Sequence, residues 1–572
     1  MAGYVEGSIT NCTNGVEGDT SKGRVTMICP TSESAACMSR PAVGGVAAFV
    51  QRNVTACNNY GKVYVKGTFA GGGLGNAGSG IQANPSFGGI VAQAGPDADG
   101  ESCAISGCNN YGDLEFNGWM ATGNGTGMYY GGIIGWANLK VSGCTNEGAL
   151  TVNSKAASTY AGGVFAQGKF AAENLINRGA VTVTLMRTAG GNQSAGTYHR
   201  IGGVVGYSTP SLSGSTNYGK ISVTGPSAAG MYCPLVGGVS GQAGGAFSTS
   251  NNEGDIEVNF PTDGTNGIRV GGVIGHLGGI AVTGVSNNGK ITVTCGTLAS
   301  NLVVGGVIGW KAGGATLTNL TNEGNKPINI TAETIEAQFF VGGVVGRTEN
   351  TTAKTWSGLK NYNPISMSFT ATSQTNYSYI GGVAGNDKTG QTFSSDENYG
   401  DITFSGPYKM RISGVAPYTD QATNSCKAEC NITASCTQNH YSEIGGIIGY
   451  TAATGFTGDS FIGDINTSGS TAKVYTGGIL GKSNGNTAFN GCTFSGELTG
   501  ASGNNVPGLY VGGLQANGKA MTFGASSKCV VGAGSKVNGT VVTDLDKDIL
   551  VSQSSDGGTF TSTATLNNIV IE

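Results

Sequence analysis

The chain has 572 residues, of which 102 are glycine and 13 proline; 11% are charged and the formal net charge is −4. A balance so near neutral offers no electrostatic footing for nucleic acid or an anionic membrane. Glycine without a Gly-X-Y period excludes collagen, and 38% hydrophobic residues exclude a disordered chain. No run approaches the roughly 18 apolar residues of a helical membrane span, so no direct span is expected.

In chain order, residues 1–43 read as a partial coil. Cys12-Thr13-Asn14-Gly15 looks like the second half of a repeat whose first half would precede residue 1. No basic, apolar export leader opens the sequence, so the expectation is a segment of a longer exported precursor. From Gly44 a sentence begins that is written repeatedly: Gly-Gly-apolar-apolar-Gly, a small polar stretch, then Asn-x-Gly-x-apolar. Ile201–Val223 shows it in full. The double glycine or a relative recurs every 31 to 44 residues, from Gly44 through Gly202 and Gly342 to Gly512, with a worn copy at Ser413-Gly414. A period in that range means stacked supersecondary units rather than separate globular domains.

The arc from the first glycine to the asparagine is nearly fixed. It is 15 residues in five copies, such as Gly131 to Asn146 and Gly202 to Asn217. The other arc varies and carries insertions, the longest being Gly67–Phe87 and Leu185–Arg200. Three short strands are read per unit: the double-glycine block (Gly271–Gly275), a segment before the asparagine (Ile280–Gly284), and a segment after it (Lys290–Val293). The third alternates strictly, with apolar pairs such as Leu150/Val152, Ile221/Val223 and Ile291/Val293. That is the period of a strand buried on one face. The expected fold is all-β: a right-handed parallel β-helix (β-solenoid) of about three strands per coil and about 14 coils.

Asn59, Asn110, Asn146, Asn177, Asn217, Asn252, Asn287, Asn322, Asn361 and Asn398 share one register. Stacked about 4.8 Å apart, each amide can donate to the next carbonyl. Asparagine and the glycine two places on (Gly61, Gly112, Gly148, Gly219) also suit a left-handed corner. The column is therefore structural. Lys220, Asp255 and Lys290 share another register, as do Lys62 and Asp113, and read as surface charge pairs. After Gly385 the pattern loosens, and Cys426–Cys430 replaces the asparagine corner. The body of the helix is assigned to 44–541 and a C-terminal cap to 542–572, with Thr559–Leu566 as an alternating strand.

At these residues the chain resembles the GLUG-motif repeat family, from about Gly44 to Gly513. Gly131-Gly-Ile-Ile-Gly135 with Asn146-Glu-Gly148 is one match, and Gly202-Gly-Val-Val-Gly206 with Asn217-Tyr-Gly219 another. The resemblance implies a bacterial secreted or cell-surface protein, adhesin-like or a non-catalytic part of a larger surface protein. It implies no catalytic residue.

Chemistry is sparse. Cys12, Cys57, Cys108 and Cys144 share a register two residues before the asparagine and read as buried thiols, although neighbours could bridge. Cys103/Cys108, Cys29/Cys37 and Cys426/Cys430/Cys436 are better placed for disulfides. His199, His276 and His440 are the only histidines, and no Cys-x-x-Cys is present, so zinc is not expected. Asp97, Asp99 and Glu101 form a weak calcium candidate, as do Asp544, Asp546 and Asp548; solvated turns are the competing reading, and no other cofactor is implied. The functional hint is aromatic. The position after the glycine block carries Trp136, Tyr207, His276, Trp310 and Arg347, and the position after the asparagine carries Tyr60 and Tyr111. Such rings suit stacking on a glycan or docking on a host or cell-surface protein, or else they shield strand ends. The expectation is a rigid binding scaffold without catalysis. A carbohydrate-active enzyme with loop-borne acids, or a purely structural stalk, are the alternatives.

Overall fold

The computed structural model describes residues 2–19, 21–31, 38–39, 41–70, 84–95, 103–120, 127–186, 198–208, 210–226, 233–261, 267–279, 281–349, 354–371, 376–385, 390–437, 441–452, 454–469, 474–500, 507–513, 521–524, 526–551 and 563–572. They fall into two compact units, Met1–Ala281 with Val285–Ala299, and Val282–Gly284 with Ser300–Glu572. Each unit is a parallel β-solenoid, with about 12 turns in the chain. The copy at Gly512 forms isolated bridges, such as Leu480 with Val511, rather than named strands.

One turn of unit 1 shows the plan. Pro234–Gly237 lies in sheet 1, Ser240–Ala243 in sheet 2, Phe247–Ser248 and Asn251–Asn252 in the two halves of sheet 3, and Ile256–Phe260 in sheet 4. Each strand pairs in parallel with its counterpart one turn on, as Pro234–Gly237 does with His199–Gly202. The double glycine is therefore not a strand but a bend. Gly237 ends sheet 1, Gly238 and Val239 turn, and Ser240 opens sheet 2. Sheet 4 is the alternating strand, and Ile221, Val223, Ile256 and Val258 are all buried in the core.

The asparagine ladder forms. In unit 1 the Nδ2 of Asn59, Asn110, Asn146, Asn177, Asn217 and Asn252 donates to the next Oδ1 at 2.7–2.8 Å, ending on Asn287. Asn14 joins it as an earlier rung at 2.8 Å. The second amide hydrogen goes to a carbonyl two residues on, as Asn110 Nδ2 to Gly112 O at 2.8 Å. Each of the fully buried amides from Asn59 to Asn252 thus satisfies its neighbours and itself. In unit 2 Asn322 donates to Asn361 and Asn361 to Asn398, and Asn398 ends the ladder on Cys430 Sγ. Beyond that, Ala428, Phe461 and Phe494 occupy the column, the two rings parallel at 6.1 Å.

Two details differ from the sequence reading. The ladder asparagines are extended; the left-handed residue sits three places earlier, as Ala56 (φ 51°), Gly107 (61°), Gly143 (57°), Asn174 (55°), Gly214 (60°) and Thr249 (45°). The glycine two places after the asparagine is needed for space, since a methyl on Gly148 would lie 2.7 Å from the Gly112 carbonyl carbon. The same logic governs the double glycine. A methyl on Gly132 would stand 2.6 Å from the Asn146 amide carbon, so the ladder and the bend press on each other across the coil.

The column two residues before the asparagine supplies acceptors to the kink. Ser250 Oγ accepts from Ser215 N (3.1 Å), Asp396 Oδ1 from Leu359 N (2.9 Å), Asp459 Oδ1 from Cys426 N (2.8 Å) and Cys529 Sγ from Cys492 N (3.4 Å). Cys57, Cys108 and Cys144 stand in this column as free thiols. Cys426, Cys430 and Cys436 are likewise buried and free, Cys103 is buried, and Cys37 lies outside the described residues. In the two charge registers read from sequence the lysines pair diagonally, while Lys360–Glu397 and Arg178–Glu147 pair directly across adjacent turns. Lys62 and Lys220 reach Glu115 and Glu257, whereas Asp113 and Asp255 accept backbone amides of the next turn. At the C-terminus Thr563–Asn568 is a 3₁₀ segment, not the expected strand, and Ile569–Ile571 pairs with Cys529–Val531.

Asn146→Ala orphans the Asn110 amide and the Asn177 carbonyl. Each should cost about 1–3 kcal/mol, against roughly 0.5 kcal/mol or less for Thr145→Ala, read from urea-unfolding midpoints. Burial raises the Asp459 carboxyl to about 7, against hydrogen bonds that lower it. The folded state therefore holds a proton that the unfolded chain releases near pH 4. Stability should be fullest below that pH and fall as pH rises towards 7, by on the order of 1.4 kcal/mol per pH unit. Asp459→Asn should flatten that slope in unfolding midpoints measured between pH 4.5 and 8.

Candidate functional site

At the double-glycine bend, the outward side chains of sheets 1 and 2 meet in a re-entrant corner. Sheet 2 contributes the residues picked out by sequence. In unit 1 Gln93, Trp136, Gln167, Tyr207, Gln242 and His276 are successive rungs of one column, and in unit 2 Trp310 and Arg347 are adjacent rungs. Sheet 1 contributes the column two residues before the bend, which the sequence reading passed over. It reads Tyr129, Tyr160, Arg200, Leu235, Arg269 in unit 1 and Val303, Phe340, Tyr379, Arg411, Glu443, Tyr475 in unit 2. The signal was present in the fixed offset from each glycine pair.

The two columns pack on each other. Trp136 is 3% exposed beneath Tyr129 and Tyr160, and Trp310 is 7% exposed against Val303 and Phe340. These tryptophans are floor, not exposed platforms. Arg347 lies over Trp310 at 4.5 Å and Phe340 at 4.3 Å. Tyr207 and His276 remain partly exposed. In unit 1 Arg200 sits among Tyr160 (4.8 Å), Tyr198 (5.4 Å) and Tyr207 (5.1 Å). It donates to the Tyr160 hydroxyl at 2.9 Å and to Gln242 Oε1. Arg269 Nη1 donates to His276 Nδ1 at 3.1 Å. Burial, then the charges of Arg269 and Arg200, hold His276 down at about 3, so it is neutral.

In unit 2 Arg411 is enclosed by Tyr377 (4.1 Å), Tyr418 (5.4 Å) and Tyr450 (3.9 Å). Its Nε donates to Glu443 Oε2 at 2.6 Å, and the Tyr377 hydroxyl donates to Oε1 at 2.8 Å. Burial and the neighbouring carboxylate push the Tyr377 hydroxyl well up. Lys482 stands over Tyr475 at 4.1 Å.

Elsewhere, Tyr60 and Tyr111 lie outside this corner, stacked on each other at 4.7 Å and 5°. Tyr362 and Tyr399 repeat that arrangement at 5.0 Å and 6°. In-register stacking covers one face of each ring with its neighbour. Asp97, Asp99 and Glu101 lie outside the described residues, as do His440 and most of the Gly67–Phe87 and Leu185–Arg200 insertions. Asp546 caps the single helical turn Lys547–Leu550 by accepting from Ile549 N at 2.8 Å. His199 is buried in sheet 1. Among the described residues no group of three or more His, Cys, Asp or Glu is arranged to hold a metal, and no helix is long and apolar enough to cross a membrane.

Compared with protein-family models, curated proteins and solved structures, the chain matches none of them.

Glu443 is 2% exposed along its side chain and Arg411 11%, so the pair is a buried one. Arg411→Ala should cost about 3–5 kcal/mol by stranding the carboxylate, whereas replacing both partners by Met and Leu should cost far less. Denaturation midpoints of the two variants distinguish these outcomes.

Proposed function

We propose that this solenoid is an extracellular or cell-surface scaffold, of the kind the GLUG-motif resemblance implies, that binds an extended glycan along the corner between sheets 1 and 2. One observation supports the reading above others. In both units the corner is lined on consecutive rungs by half-exposed tyrosines interleaved with arginine, glutamine or glutamate. Tyrosine offers an apolar ring face and a hydroxyl at low entropic cost, and the neighbouring fixed donors and acceptors suit sugar hydroxyls. The rungs repeat at about 4.8 Å, so an extended chain lying along the corner meets a new set of groups at each step. Each contact can be weak while their sum is selective.

The test is a glycan array followed by affinity electrophoresis of the full chain. Tyr207→Ala combined with Tyr450→Ala should weaken binding at least tenfold, and Tyr111→Ala should leave it unchanged. Absence of binding to every glycan would leave a spacer. Release of new reducing ends from a bound polysaccharide would replace the binder with an enzyme.

A further inference from the structure

Arg200 and Arg411 occupy the same place in the repeat, two residues before a bend (Gly202-Gly203; Ser413-Gly414). Their surroundings correspond rung by rung. The preceding rung of sheet 1 gives Tyr160 to Arg200 and Tyr379 to Arg411. The same turn of sheet 2 gives Tyr207 and Tyr418, and the next rung of sheet 2 gives Gln242 and Tyr450. The correspondence breaks where Gln242 stands for Tyr450, where Ser158 stands for Tyr377, and at the next rung of sheet 1. Arg411 meets Glu443 there, while Arg200 meets Leu235.

Unit 2 therefore displays what such a tyrosine-enclosed guanidinium takes. It holds a carboxylate at 2.6 Å, whose other oxygen receives a tyrosine hydroxyl at 2.8 Å. In unit 1 the hydrogen bonds of Arg200 go to neutral oxygens: Tyr160 Oη, Gln242 Oε1 and the Tyr198 carbonyl. Its charge is fixed in place but not answered by a carboxylate on the neighbouring rung. A second guanidinium, Arg269, follows two rungs along the same column and shares the Tyr198 ring with Arg200, each at 5.4 Å. Charge-assisted bonds from guanidinium to carboxylate are roughly twice as strong as neutral ones. They also confer the discrimination that sugar hydroxyls alone do not.

We infer that unit 1 binds the carboxylate of an external ligand at Arg200, and that the ligand is a carboxylate-bearing polysaccharide. The inference rests on the glycan-binding reading of the corner and names the glycan's chemistry. A polysaccharide is favoured over an acidic peptide because the flanking groups are tyrosines and glutamines rather than apolar side-chain pockets.

Isothermal titration of the full chain with an oligogalacturonate, a neutral oligosaccharide of equal length, a sulfated oligosaccharide and polyglutamate tests it at two salt concentrations. The uronate should bind best and weaken with salt. Leu235→Glu would install the internal carboxylate that unit 2 already has, and it should weaken uronate binding at least tenfold, with the melting temperature reporting whether the variant folds. Arg200→Gln should weaken the same ligand similarly and serves if Leu235→Glu does not fold. Unchanged uronate affinity in both variants overturns the site. Preference for the sulfated ligand or for polyglutamate overturns the carboxylate-glycan assignment. Neutral and acidic glycans binding equally, both insensitive to Leu235→Glu, would remove this site and leave the glycan-binding corner standing. Failure of all glycans removes both.

Discussion

The constraint on which each unit depends is the mutual fit of the asparagine ladder and the double-glycine bend. A buried amide left unpaired costs more than most single contacts return. An asparagine column escapes that cost only if every rung places its amide on the next. That demand fixes the register of sheet 3. Because the ladder amides lie where the Cβ of the second glycine would be, it also fixes the residue on the opposite wall. The nearly constant 15-residue arc from glycine to asparagine is the length of chain that joins these two walls. The other arc joins nothing so closely packed and is where insertions accumulate.

Unit 2 shows that the wall-to-wall fit outlasts the hydrogen bonds. After Asn398 the ladder ends on a thiol, yet Gly446 and Gly478 persist, with Phe461 and Phe494 now filling the space opposite them. The column has changed from a polar ladder to a stack of rings, while the volume it occupies and the glycines that admit it remain. Strand pairing and apolar contact then carry the register that hydrogen bonds carried before.

How much of this was legible follows from what repeats chemically. The asparagines and the alternating strand repeat as residue types, so the solenoid and its ladder could be read directly. The bend was mistaken for a strand because Gly-Gly-apolar-apolar-Gly offers no alternation to betray a corner. The left-handed position three residues before the asparagine was invisible, being filled by Gly, Asn, Ala, Thr or Ser. The column of Cys, Ser and Asp makes sense only once each is seen to accept a hydrogen bond from the turn before. In the candidate site one wall was found and the other missed. The first wall was noticed for its tryptophans, which proved to be buried by the second. That second wall has no residue type in common along its length, only a fixed distance from each glycine pair.

That lack of a common type is itself informative. Columns that hold the coil together are filled by residues that do the same job on every rung. The outer column of sheet 1 runs through Tyr160, Arg200, Leu235 and Arg269, three different chemistries on four rungs of one structural position. Stacking does not require any of them, so their identities are free to serve something else. A buried ion pair such as Arg411–Glu443 is weak evidence of stabilisation in its own right, because desolvation offsets most of its attraction. It is better evidence of what the corner accommodates: a guanidinium held by rings before any anion arrives. A site so preorganised asks little ordering of the protein when a ligand binds, leaving more of the interaction for affinity and selectivity.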